Sequence, residues 1–165
     1  MDSIFLSKLF EHNNWANHKI IQACSVLSDE QLDAEPQSVT KGSIRSTLSH
    51  LVNSQRGYLS LLTQPPEARH FTPPTFAQLE ESARISGEGL LALVSNEPSE
   101  QLETRLQTTD GFFVDPWVVI VQVINHATEH REQIKSMLNA LGITPPDLDS
   151  WTYGEATNAL IPMSK

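Results

Sequence analysis

The feature that most constrains the fold of this chain is a long run without glycine or proline, from Trp117 to Leu141. Pro116 precedes the run, where its fixed φ suits the first position of a helix, and Gly142 follows, where helices commonly end. The run therefore predicts one long helix capped by Asp115. Its apolar residues recur at helical spacing and predict a buried face formed by Trp117, Ile120, Val121, Ile124, Ala127, Ile134 and Leu138.

Three more long helices are predicted upstream of this run. The first extends from Ser3 to about Leu27, and the second begins at the capping residue Ser43 and ends near Thr63, before two prolines. The third begins at Thr75 and ends near Asn96. The first has an apolar stripe at steps of three and four residues, which predicts an inward face of Phe5, Leu9, His12, Ala16, Ile20, Ala23 and Leu27.

Four helices of this length predict an all-α fold, a four-helix bundle that occupies residues 1–165 as a single domain. The irregular segment 64–74 can reach about 36 Å when fully extended, at ~3.3 Å per residue. The second predicted helix is only ~31 Å long. This segment can therefore carry the chain back along the bundle, so that the second and third helices run parallel.

Two shorter features complete the predicted secondary structure. Alternation over 102–108, the Asp110-Gly111 turn signal and the apolar run after it predict a small β-hairpin between the third and fourth helices. Ser28 and Gln31 form a capping-box pattern that predicts a short helical turn. The tail from Asp147 to Lys165 shows no clear period.

The charge balance excludes some classes of function. The chain carries 20 acidic and 11 basic residues, a formal net charge of −9, with no cluster of lysines and arginines. Such a surface repels nucleic acid and anionic membranes, so we expect neither as a partner. The single cysteine, Cys24, excludes an internal disulfide and is expected to be buried. With no signal-peptide pattern and no apolar run of membrane-spanning length, we expect a soluble, cytoplasmic protein.

The fourth predicted helix carries the strongest indication of chemistry. His126 and His130 are spaced i, i+4, so that both imidazoles lie on one side of the helix, as in helical metal sites. Two ligands hold a metal weakly, and His50 on the second predicted helix is the best candidate for a third. All three histidines lie at the border of the predicted apolar faces, where a site stays open to water. The alternative is that they are ordinary, partly exposed histidines.

The order of motifs resembles the DinB/YfiT-like superfamily of bacterial four-helix metalloproteins. Three segments carry the resemblance: Leu9–Asn17, Gly42–Leu51 and Asn125–Ile134, the last followed by Pro145-Pro146, Asp149 and Tyr153. Two positions depart from the usual pattern. His12 stands where an aromatic residue is usual, and Glu132 replaces a small residue on the side away from the histidines.

The resemblance implies a divalent metal ion on His50, His126 and His130, with water at the remaining positions. Three imidazoles suit Zn²⁺, Ni²⁺ or Fe²⁺ nearly equally. The implied function is a metal-dependent enzyme that activates a thiol or water nucleophile, in the S-transferase or hydrolase class, with a small-molecule substrate such as a low-molecular-weight thiol. The alternative is a non-catalytic stress-response bundle that binds metal or ligand or forms a dimeric interaction module. Relatives often dimerise through helix faces, so a homodimer is expected.

Other polar and aromatic residues have weaker indications. We expect His12 to be a satisfied core histidine, with an approach to the metal as the alternative, and Glu129 to be a surface acid instead of a general base. Asn125 and Gln133 can hold ligands in place, although capping or surface roles are commoner. The remaining expectations are that Asp149 and Tyr153 fold over the cleft, that Trp15 is part of the core, and that His18 and His70 are exposed.

Overall fold

The structure is a computed structural model that describes residues 3–36, 42–70, 72–95, 102–161 and 163. Most of the predicted loop between the first two long helices and the predicted end of the third at Asn96 lie outside these residues. The described helices are α1 (Ser3–Ser25), α2 (Asp29–Asp33), α3 (Ile44–Thr63), α4 (Leu79–Ser95), α5 (Pro116–Ala140) and α6 (Ser150–Ala156), with 3-10 turns at Pro66–Ala68 and Phe76–Gln78. The all-α prediction is confirmed.

The four long helices form a bundle in which α1 and α3 lie diagonally opposite each other. Each of these two helices packs against both α4 and α5. Gln55 contacts Ala83, and one turn later Leu59 packs against Gly89, so α3 and α4 run parallel. The predicted return of the chain along the bundle between these helices is therefore confirmed.

Local sequence signals explain where the long helices begin and end. Ser43 and Ser46 form a capping box at the start of α3. Pro116 occupies the first turn of α5, and Gly142 follows the helix with φ +75°, a conformation that glycine adopts without strain. Asp115 precedes α5, but its carboxylate accepts a hydrogen bond from Arg105 Nε at 2.8 Å instead of capping the helix.

The buried faces of α1 and α5 differ from the predicted ones. Phe5 and Trp117 are 61% and 66% exposed, and Leu9 and Val121 are also exposed. The reason is that polar side chains occupy core positions on both helices, so the apolar residues alone misplace the buried face. These polar residues are Asn13 and Asn17 on α1 and Arg131 on α5.

Two further elements lie outside the bundle. The strands β1 (Leu106–Gln107) and β2 (Phe113–Val114) pair antiparallel, which confirms the predicted hairpin. The tail contains α6, which the sequence did not predict; Asp149 caps it by accepting a hydrogen bond from the Thr152 backbone N–H at 2.8 Å. No helix of the described ranges is both long and apolar enough to span a membrane.

Candidate metal centre

Three histidine side chains converge at the groove between α3 and α5. His126 Nε2 lies 3.1 Å from His50 Nε2 and 3.1 Å from His130 Nε2. One ligand nitrogen from each ring lies within 4.8 Å of the other two. The structure thus brings together the residues that the sequence nominated, because antiparallel packing of α3 on α5 sets His50 opposite the i, i+4 pair.

The spacing of these nitrogens fits a shared cation. Two nitrogens that each lie ~2.1 Å from one ion, at angles of about 90–110°, are ~3.0–3.4 Å apart. Lone pairs of imidazole nitrogens at such separations repel one another unless a proton or a metal ion lies between them. The three rings therefore suit a divalent metal ion, with all three Nε2 atoms as donors.

Gln133 determines the orientation of one of the three rings. Its Oε1 lies 2.7 Å from His130 Nδ1, one turn along α5. An amide oxygen only accepts, so His130 must carry its proton on Nδ1, which leaves the Nε2 lone pair directed at the site. This is the hydrogen bond by which metal sites commonly fix a histidine ligand. The possibility that Gln133 holds a ligand is realised in this contact.

The surroundings of the histidines favour the neutral, ligating form of the rings. Burial, followed by the charges of His130 and His50, lowers the pKa of His126 to about 4. Burial, followed by the charge of His130, also lowers the pKa of His50. Neutral imidazole is the form that binds metal, so the two rings are ready to coordinate at neutral pH.

The site is exposed at His50 and has an aromatic neighbour at His126. His50 is exposed, whereas His126 and His130 are half-buried. The ring of Tyr58 meets that of His126 edge to face, with centroids 5.7 Å apart. A ligand can therefore approach the three nitrogens from the solvent side of the groove, past His50.

Comparison with known proteins identifies the family. The family model for the DinB family matches residues 1–162. The chain belongs to the DinB family. It is 28% identical over 163 residues to Protein DinB of Bacillus subtilis (strain 168), an alignment that covers 92% of this chain and 94% of that protein.

Solved structures of DinB proteins share the fold. A DinB family member from Exiguobacterium sibiricum 255-15 superposes with a TM-score of 0.69 at 19% identity, covering 90% of this chain and 99% of that one. A DinB-like protein from Bacillus cereus ATCC 10987 gives a TM-score of 0.62 at 17% identity, with coverages of 86% and 94%. At these identities the likeness shows a common bundle and no more.

The tail that follows α5 packs on α1, not over the three candidate metal ligands. The Tyr153 ring contacts those of His12 and Trp15, each at 5.4 Å between centroids, and its hydroxyl donates to Glu11 Oε2 at 3.2 Å. The prediction that Asp149 and Tyr153 cover the cleft is therefore wrong. The cause is the docking of α6 on α1, which the sequence did not signal.

The remaining residues that the sequence singled out lie away from the metal ligands. His12 Nε2 is 2.8 Å from the carbonyl oxygen of Leu148, so His12 is a satisfied, half-buried histidine as expected. Trp15 packs against the core. Cys24 is fully buried, and burial raises the pKa of its thiol to about 12. The other four are exposed: Glu129, His18 and His70, as expected, and Asn125, for which a surface role was the commoner expectation.

Arg131 is the residue near the site that sequence reasoning missed. It follows His130 directly but points into the core, where only 4% of it is exposed. Its NH1 donates to Asn13 Oδ1 at 2.8 Å and to Asn17 Oδ1 at 2.6 Å, and its NH2 donates to Thr128 Oγ1 at 3.0 Å. Burial lowers the pKa of Arg131 to about 10. The signal that was available is the pair of asparagines at core spacing on α1.

Proposed function

We propose that this chain is a divalent-metal-dependent enzyme of the DinB type. His50, His126 and His130 hold the ion, and a thiol or water nucleophile reacts with a small-molecule electrophile, as in S-transferases and hydrolases. The observation that carries the proposal is the convergence of three Nε2 atoms at an open groove. Membership of the DinB family supports it.

The donor set favours substrate activation over a structural role. A structural zinc site closes its coordination sphere with four protein ligands, commonly including cysteine. Among the described residues the ligand group consists of three histidines, and Cys24 is buried in the core cluster instead. Three ligands leave positions open to solvent, which is the arrangement of a catalytic site.

The side chains around the groove have separate roles in binding the metal and in orienting its ligands. When bound, the metal supplies Lewis acidity, which lowers the pKa of a thiol or water nucleophile or polarises a carbonyl group. Gln133 holds the His130 ring in its ligating tautomer through the 2.7 Å contact. The ring of Tyr58 packs edge to face against that of His126. Three imidazoles suit Zn²⁺, Ni²⁺ or Fe²⁺, and availability decides the occupant.

Metal content is the first test of the proposal. The protein as purified should contain about one divalent ion per chain, and the His50→Ala variant should lose it because two ligands remain. His70→Ala is the matched control, since His70 is exposed and lies outside the ligand group. Elemental analysis of the three proteins decides the point. Equal metal content in wild-type protein and His50→Ala would overturn the three-histidine site.

Turnover separates the enzyme from a binding protein. We expect wild-type protein to join a low-molecular-weight thiol to a chromogenic electrophile, or to hydrolyse an activated ester, and the metal-free protein to do neither. The rival is a non-catalytic bundle that binds metal or ligand. This rival gains support because Glu129 is exposed, and because the side chains that pair with the three rings among the described residues, Tyr58 and Gln133, include no carboxylate. Stoichiometric metal without turnover would favour that rival.

A further inference from the structure

A cavity of about 330 Å³ lies between α3, segment 64–74 and the loop of the β-hairpin. Small-molecule sites commonly have volumes of ~300–1,000 Å³, and a cavity of about 150 Å³ already holds benzene. The cavity is therefore large enough for an apolar group of roughly two rings. Four residues on one helix form its α3 wall: Ser54, Gly57, Tyr58 and Leu61.

The cavity continues the stripe of α3 that carries His50. Its four α3 wall residues stand at i+4, i+7, i+8 and i+11 from His50, positions that share one face of a helix. At 1.5 Å per residue, this wall begins ~6 Å from His50 along the helix axis and ends ~16 Å away. Tyr58 joins the two sites, because it lines the cavity and its ring packs against that of His126. The cavity is therefore adjacent to the three histidines.

The wall opposite α3 is held in place by hydrogen bonds within the protein. Arg69 Nε donates to the carbonyl oxygen of Gln64 at 2.9 Å, and Arg69 NH1 donates to that of Gln107, which ties the hairpin to segment 64–74. The hydroxyl of Thr108 accepts a hydrogen bond from the Phe112 backbone N–H at 2.9 Å. A ligand therefore meets a wall whose shape already exists.

Gly57 determines the size of the cavity. It lies in the middle of the α3 wall, and a Cβ built there meets no atom within 4 Å, so any side chain would extend into free space. Its neighbours in the wall, Tyr58 and Leu61, are partly buried side chains that pack against the core. These two side chains present apolar surface to the cavity beside the space that the glycine leaves.

We propose that this cavity binds an apolar group of the electrophile while the reacting carbon of the same molecule lies at the three histidines. The inference rests on the proposed function for the reacting end, and on the cavity alone for the apolar end. A molecule that extends from the histidines along the α3 stripe meets Tyr58 and Leu61, where burial of apolar surface favours binding. The substrate class is an electrophile whose aromatic or branched aliphatic group begins about 6 Å from the reacting carbon. Gly57 is the residue that determines how large this group can be.

The apolar end is tested on metal-free protein with 2-naphthol, a two-ring molecule that is uncharged at neutral pH. Titration followed by NMR should shift the amide resonances of Gly57, Leu61 and Thr109 more than most others. Gly57→Leu fills the cavity and should weaken binding about 10- to 100-fold. Thr63→Leu is the matched control, because it adds the same side chain at an exposed position of α3 outside the cavity. Equal affinity in wild-type protein and Gly57→Leu, or shifts confined to another surface, would overturn the proposal.

A smaller substitution distinguishes filling of the cavity from a change in the helix. Both Gly57→Ala and Gly57→Leu replace a glycine inside a helix by a residue of higher helix propensity, so both variants should fold and melt no earlier than wild type. Affinity for 2-naphthol should decrease with the size of the side chain, from glycine to alanine to leucine. An equal loss in the two variants would contradict a cavity whose size depends on residue 57.

Turnover by the metal-loaded protein tests both ends together. The substrates are 4-nitrophenyl 4-phenylbutanoate and 4-nitrophenyl acetate, which share a leaving group and differ only in the apolar chain. We expect kcat/KM to be about 10- to 100-fold higher for the phenylbutanoate, and this preference to disappear in Gly57→Leu but not in Thr63→Leu. If both esters react and Gly57→Leu keeps the preference, the cavity inference fails and the proposed function stands. If neither ester nor any thiol acceptor reacts, the proposed function fails, and 2-naphthol binding alone decides whether the cavity takes apolar groups.

Discussion

At the scale of single residues, His126 contacts both other histidines of the candidate metal centre. Its Nε2 lies 3.1 Å from the Nε2 of each of the other two rings, and burial, followed by the charges of His130 and His50, lowers its pKa to about 4. The unfolded chain binds a proton at this residue near the ordinary pKa of ~6.5, whereas the folded chain resists the proton until the pH nears 4. Stability should therefore depend on pH between these two values.

We predict that the metal-free protein loses stability as the pH falls from ~6.5 toward 4. In this window the unfolded state binds more protons than the folded state, so the free energy of unfolding decreases with decreasing pH. Thermal melts at pH 7.5 and pH 5 measure the effect, with His126→Gln as the control. The melting temperature of the variant should change less between the two pH values, since it lacks this group. An equal change in both proteins would show that His126 is not protected from protonation.

At the scale of elements, a chain of buried polar contacts joins the four long helices. Arg131 on α5 donates to Asn17 on α1, Asn17 Nδ2 donates to Gln55 Oε1 on α3 at 2.8 Å, and Gln55 Nε2 donates to Ser86 Oγ on α4 at 2.8 Å. Each bond satisfies a group that would otherwise be buried without a partner. Because His130 precedes Arg131, the same contacts fix the rotation of α5 that presents its histidines to α3.

We predict that Arg131→Met destabilises the bundle by about 2–5 kcal/mol. The substitution leaves the side-chain oxygens of Asn13 and Asn17 without the guanidinium, and each unsatisfied buried group costs about 1–3 kcal/mol. Urea unfolding of metal-free protein measures the loss. Arg84→Met removes an exposed arginine and should stay within about 0.5 kcal/mol of wild type. A similar small effect for Arg131→Met would mean that the network adds no stability.

At the scale of the whole molecule, exposed apolar side chains of two neighbouring helices lie near the same end of the bundle, although the chain is strongly acidic. The large exposed apolar side chains on the neighbouring, parallel helices α1 and α5 lie in the first half of each: Ile4, Phe5, Leu9, Trp117, Val118 and Val121. Exposed apolar groups gathered on one part of a surface are typical of protein interfaces. We propose that a second copy of the chain covers this face, as the resemblance to dimeric relatives led us to expect.

We predict that the wild-type protein is a dimer in sedimentation at micromolar concentration and that Trp117→Lys is a monomer. The added charge removes apolar contact area and, across a two-fold axis, faces its own copy. Trp151→Lys is the matched control, because Trp151 is 73% exposed on α6 and should not alter the assembly. A wild-type monomer, or a Trp117→Lys dimer as stable as the wild type, would exclude this face as the interface.

The sequence by itself determined the features that depend on a single helix or turn. The capping pattern at Ser43, the Pro116 start and Gly142 end of α5, and the Asp110-Gly111 turn were all predictable because each acts on the backbone within a few residues. The i, i+4 spacing of the histidine pair was equally local. The length of segment 64–74 allowed α3 and α4 to run parallel, which the structure then confirmed.

The tertiary structure decided the features that form only where two helices pack against each other. Hydrophobic periodicity placed Phe5 and Trp117 in the core, but Asn13 and Asn17 are buried instead because Arg131 reaches across from α5 to satisfy them. A polar residue is stable in a core only beside its partner, and the partner lies more than a hundred residues away in the chain. The docking of α6 and the meeting of His50 with the α5 pair arise in the same way, from packing that no local pattern specifies.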